Sequence, residues 1–180
     1  MNYYSESGLL IRSMVEEDIS ALHTVFSVFD KSKTRELFQY YYSQYNTEER
    51  IVLIAELEGG CAGYVTLVPN AKEGPFKDKK IPEIKGFNVI QSFRKKGIGW
   101  KLMDVVEQCA SKQSDIVLLG VGLYRDYGTA HRMYVKRGYI PDGTGLWYGN
   151  QQIFPGNEVF VDDDLVLYMS KSLNVTPYRK

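Results

Sequence analysis

Between Ile84 and Leu102 a β-rich run gives way to three consecutive cations, Arg94-Lys95-Lys96, and then to a helical pattern that opens on Gly97 and Gly99. This strand, loop and helix limit what the chain can become more than any other feature. A helix N-terminus leaves about four N–H groups without acceptors inside the helix and carries partial positive charge. Cations there are unfavourable unless an anion sits among them. Glycines let a phosphate approach such a backbone closely. The segment therefore reads as a pyrophosphate site. It is not a Walker loop, because Gly-x4-Gly-Lys-Ser/Thr is missing. It is not a dinucleotide fingerprint either, which needs three glycines after a first strand and an acid about 20 residues on. The competing reading is a helix with a basic first turn and two glycines for packing.

Charge supports the anion. Lys+Arg and Asp+Glu are 22 each, so no global field draws in nucleic acid or an anionic membrane. The balance hides a segregation. Residues 72–101 hold nine Lys/Arg against Glu73, Asp78 and Glu83, whereas 142–164 hold five acids and no Lys or Arg. Two cysteines, Cys61 and Cys109, are too few for a disulfide scaffold or a four-cysteine zinc site. No His/Cys/Asp/Glu grouping has metal-ligand spacing, so no metal is expected. The most apolar stretch, 116–123, falls far short of the ~20 residues of a membrane helix. The first residues have neither a basic stretch nor an apolar run after it. A cytoplasmic protein with reduced thiols is the expectation.

Periodicity predicts strands over 8–12, 51–57, 61–68, 84–90 and 115–123, with late strands around Val159–Val161 and Leu165–Met169. Helices are predicted over 18–29, 34–45, 97–110 and 129–137, the last stopped by Gly138. Glu58-Gly59-Gly60 reads as a hairpin turn. No repeat or linker divides the 180 residues, so a single domain over 1–180 is expected.

Two motifs then stand in order. Arg94-x-x-Gly97-x-Gly99 follows a strand ending in Asn88-Val89, and Ala130-x-x-x-Tyr134-x-x-x-Gly138-Tyr139 lies beyond the next strand. Together they resemble the acyl-CoA motifs of the GNAT family of N-acetyltransferases, and the likeness covers nearly the whole chain. It implies a mixed α/β (α+β) fold: a twisted, mostly antiparallel sheet of about seven strands flanked by four helices, with a V-shaped splay between the strands at 84–90 and 115–123. It implies acetyl-CoA as co-substrate. Phe87, Asn88 and Val89 would meet the pantetheine and thioester, with the Val89 N–H donating to the thioester oxygen. Arg94, Lys95, Lys96, Gly97, Ile98 and Gly99 would hold the pyrophosphate, and Tyr127, Ala130 and Tyr134 would also contact the coenzyme. Tyr127 stands where the family often has asparagine, which puts that contact in question. Tyr134 matches the tyrosine that protonates the departing thiolate, and Glu83 the glutamate that serves some members as general base. His131 reads as a surface residue, and His23 as a residue that could line the acceptor pocket.

The acceptor expected is an amine on a small molecule or peptide. The tyrosine-rich stretch 37–45 and Asp162-Asp163-Asp164 suit an ammonium, although the same residues read equally as core and as turn. Apolar Ile153, Phe154, Val159 and Phe160 leave a homodimer open. The alternative function is a non-catalytic acyl-CoA-binding or sensor domain. A nucleic-acid module on the basic helix start is disfavoured by the zero net charge.

Overall fold

A computed structural model describes residues 1–174. These form nine strands and four α-helices: β1 (Asn2–Glu6), β2 (Leu9–Ser13), α1 (Asp18–Phe26), α2 (Arg35–Asn46), β3 (Ile51–Leu57), β4 (Gly60–Val68), β5 (Glu83–Val89), α3 (Ile98–Ser111), β6 (Ile116–Gly122), α4 (Gly128–Lys136), β7 (Ile140–Tyr148), β8 (Gln151–Gln152) and β9 (Leu165–Ser172). The fold is mixed α+β, as the periodicity and the resemblance lead one to expect. The described residues divide into two compact units, 1–68 with 85–109, and 69–84 with the residues from 110 onward.

In the first unit the strand order is β1-β2-β3-β4-β5, β5 contributing its residues from Lys85 onward. The β3–β4 hairpin turns through Glu58 and Gly59, both with positive φ, the geometry a two-residue turn needs to match strand twist. Helix α2 starts at Thr34, whose hydroxyl accepts from the Leu37 N–H over 3.2 Å. The core gathers Leu22 and Phe26 of α1, Phe38 of α2, Val52 and Ile54 of β3 and Tyr64 of β4. Tyr41, Tyr42 and Tyr45 pack against it, so most of the tyrosine stripe serves the core, while Tyr40 remains exposed. Asp18 takes a bidentate ion pair from Arg12 at 2.6 and 2.7 Å and accepts from the Val15 N–H at 2.7 Å, fixing the entry to α1.

In the second unit the order is β5-β6-β9-β7-β8. The β5–β6 ladder is parallel and has only two register pairs, Glu83↔Leu118 and Ile84↔Leu119. β5 runs on to Val89 and β6 to Gly122. The β6–β9, β7–β9 and β7–β8 ladders are antiparallel.

Several elements differ from the sequence expectation. Val159–Val161 forms no strand. Phe160 and Val161 are exposed, and the partner of β9 is β7, Ile140–Tyr148. β7 escapes pattern reading because Pro141, Gly143 and Gly145 break its alternation, and its register shifts between Pro141 and Leu146. β1 is an edge strand with a polar sequence and a bulge between Asn2 and Tyr4. Helix α1 ends at Phe26, three residues early, leaving Phe29 exposed.

Candidate active site

The first unit carries the end of β5, the basic loop and the start of α3. Three contacts set the strand. Gly63 of β4 lies so close that a Cβ there would stand 2.6 Å from the Asn88 carbonyl oxygen. The Thr66 hydroxyl donates to the Lys85 carbonyl at 2.9 Å and accepts from Arg50 Nη1 at 2.7 Å, and the Arg50 guanidinium rests on the Tyr41 ring at 4.7 Å. Asn88 Nδ2 donates to the Tyr64 hydroxyl over 3.1 Å. Tyr64 is buried with its ring edge-on to Phe26 and Phe38, and burial pushes its pKa up. Phe87, Asn88 and Val89 are half-buried.

After β5 the chain folds back. Arg94 Nε donates to the Val89 carbonyl at 3.0 Å. Lys95 (φ 62) and Gly97 (φ 80) both take left-handed backbone, a conformation that costs a lysine energy. Arg94, Lys95, Lys96 and Gly97 are exposed, Ile98 anchors the loop in the core, and Gly99 is half-buried. Nothing stands within 4 Å of where a Gly97 Cβ would be. Three exposed cations, an open glycine and the first N–H groups of α3 fit a diphosphate.

The second unit carries Glu83, Tyr127, Ala130 and Tyr134. Glu83 is 1% exposed at the start of β5. Tyr134 lies on the buried face of α4, its ring 5.7 Å from that of Tyr139. Its carbonyl accepts from the N–H groups of Arg137 and Tyr139, each at 3.0 Å, where Gly138 (φ 89) ends the helix. Burial pushes the Tyr134 pKa up, and the neutral phenol has a proton to donate. His131 is half-buried, not a free surface residue. Its Nε2 lies 2.8 Å from the Gly122 carbonyl oxygen at the end of β6.

The sequence profile of the Acetyltransferase (GNAT) family matches residues 16–139. The chain belongs to the GNAT acetyltransferase family. The fold of this GNAT chain is shared with solved structures at low identity. An N-acetyltransferase from Staphylococcus aureus Mu50 is 16% identical with a TM-score of 0.70, covering 93% of this chain and 99% of that one. A ribosomal-protein-alanine N-acetyltransferase from Brucella melitensis is 23% identical with a TM-score of 0.65, covering 91% and 99%. An aminoglycoside 6'-N-acetyltransferase complexed with coenzyme A is 16% identical with a TM-score of 0.64, covering 93% and 98%. No match was found among functionally curated proteins.

Two features of this GNAT chain escape pattern reading. The Tyr127 hydroxyl donates to Asp163 Oδ1 at 2.8 Å, and so does that of Tyr124 at 2.5 Å. Arg50 supports β5 through Thr66 although it lies outside both motifs. Neither pairing has a sequence signal, because each joins residues that only the fold brings together. Among the described residues no helix is long and apolar enough to cross a membrane, and no group of three or more His, Cys, Asp or Glu could hold a metal ion.

Proposed function

We propose that both units serve one acetyltransferase domain, which moves an acetyl group from acetyl-CoA to a primary amine by direct attack in a ternary complex. The observation that carries this reading is the exposed basic loop at α3, with two left-handed residues and three cations where helix electrostatics alone would disfavour them. When bound, acetyl-CoA supplies a thioester carbon open to an amine. Arg94, Lys95, Lys96 and the N–H groups opening α3 hold its pyrophosphate, with Gly97 and Gly99 admitting close approach. Phe87, Asn88 and Val89 lie along the pantetheine, with Tyr127 and Ala130 as further contacts.

The chain's own groups then manage protons and charge. The Val89 N–H donates to the oxygen on which negative charge grows. An alkylammonium near pKa 10.4 must lose a proton before it attacks, and Glu83 accepts it. Because Glu83 is buried, that proton arrives through water. Tyr134, a phenol with an ordinary pKa near 10 and so protonated near neutrality, donates to the departing thiolate. The acceptor is a small amine or a peptide amine, as for the aminoglycoside and ribosomal-protein enzymes that share the fold. The compartment proposed is the cytoplasm.

Release of coenzyme A thiol, followed across a panel of amines, tests the reading. Tyr134→Phe should lower kcat about 100-fold and leave the Kd for acetyl-CoA unchanged. Tight binding of acetyl-CoA with no turnover on any amine would favour the sensor reading instead.

A further inference from the structure

Helix α4 is short, and no side chain caps its start: Tyr127, at its N-cap, makes no capping hydrogen bond. The segment before it, a 3-10 turn over Arg125–Tyr127, is tied down in three ways. The Tyr127 ring packs closely on the end of β6, so that a Cβ on Gly122 would stand 2.4 Å from it. The Tyr124 and Tyr127 rings meet edge to face at 5.0 Å. Both hydroxyls donate to the same oxygen, Asp163 Oδ1. Asp163 sits three residues before Val166, which pairs with Gly122 in the β6–β9 ladder. The carboxylate thus closes a small ring from the end of β6, through the two tyrosines, to the start of β9. The bond to Asp163 pushes the Tyr124 pKa up to about 12, as expected of a phenol donating to an anion.

We propose that Asp163 is a positioning residue of the acetyltransferase, its carboxylate fixing the Tyr124–Tyr127 turn and thereby the coenzyme contacts at Tyr127 and Ala130. This rests on the acetyl-CoA reading above. It explains how a tyrosine works where the family often has asparagine: the larger side chain needs an external anchor, and Asp163 supplies it. One anionic acceptor taking two phenol donors holds both rings, and hydrogen bonds to a charged group are stronger than neutral ones.

Calorimetric titration of acetyl-CoA into the wild type, Asp163→Ala, Asp163→Asn, Tyr124→Phe and the Tyr124→Phe/Asp163→Ala double variant tests this, with thermal melting of each alongside. The expectation is a Kd raised about tenfold in Asp163→Ala. Asp163→Asn keeps an acceptor oxygen and should recover to within about threefold of the wild type. The double variant should bind no more weakly than Asp163→Ala alone, because both changes break one interaction. A lowered melting temperature with unchanged Kd in Asp163→Ala would mean a purely structural role and overturn the inference, leaving acetyl-CoA binding intact. Additive losses in the double variant would also overturn it. Absence of binding by the wild type would remove the reading on which it rests.

Discussion

Arg94 Nε donates to the Val89 carbonyl oxygen over 3.0 Å, so the loop that carries the three cations is pinned to the last residue of the strand it follows. One guanidinium therefore ties strand and loop together, and the backbone between them cannot drift without breaking that bond. The bond occupies only Nε, and the guanidinium has four further N–H donors to offer an anion.

The close approach of β4 and β5 yields a stability prediction. At Gly63 an added methyl would stand 2.6 Å from the Asn88 oxygen and 3.2 Å from the Val89 Cα. Both are backbone atoms that cannot swing aside. Gly63→Ala should cost about 1–3 kcal/mol of overpacking, read as a lower urea midpoint at unchanged slope. It should also weaken acetyl-CoA binding by displacing Asn88 and Val89. Unaltered stability would show that β5 yields freely at this point.

Buried phenols set the alkaline limit. Burial raises the pKa of Tyr64, Tyr134 and Tyr168, whereas in the unfolded chain each titrates near 10. Above pH 10 the unfolded state binds fewer protons than the folded one, so stability falls as pH rises. Their contribution is complete below about pH 10 and is lost progressively above it. Denaturant midpoints from pH 8 to 11 should be flat and then decline, and Tyr134→Phe should soften the decline. A midpoint that rises above pH 10 would contradict the assignment.

The proton removal proposed for Glu83 would have a kinetic signature. Glu83→Gln should lower kcat about 10–100-fold at neutral pH, with acetyl-CoA affinity kept. Its residual rate should climb about tenfold per pH unit toward the acceptor's own pKa near 10, since only unprotonated amine then reacts. Equal rates in wild type and variant would remove Glu83 from the mechanism.

Much of this was legible in the residues, and the losses have physical causes. Strand β3 and the β3–β4 hairpin follow from alternation and turn chemistry, and α3 from Ile98, Leu102, Val105 and Val106 on one face. β7 was hidden because Pro141, Gly143 and Gly145 make its ladder irregular. Val159 and Val161 alternate as a strand would, yet no neighbouring strand offers them a ladder. At the site, the basic loop declares itself because local sequence and local electrostatics coincide. Asp163 does not, because its meaning depends on Tyr124 and Tyr127, which lie 39 and 36 positions away.

The most direct test of the central claim is calorimetric titration of acetyl-CoA into the wild type, a Gly97→Glu/Gly99→Glu variant and a Lys95→Gln/Lys96→Gln variant, each checked for a cooperative melt. The last changes only exposed side chains and guards against a folding failure of the first. Saturable binding by the wild type, abolished by the glutamates and weakened about tenfold or more by the glutamines, is the predicted result. Equal binding by all three proteins, or none by the wild type, would contradict a pyrophosphate site at residues 94–99.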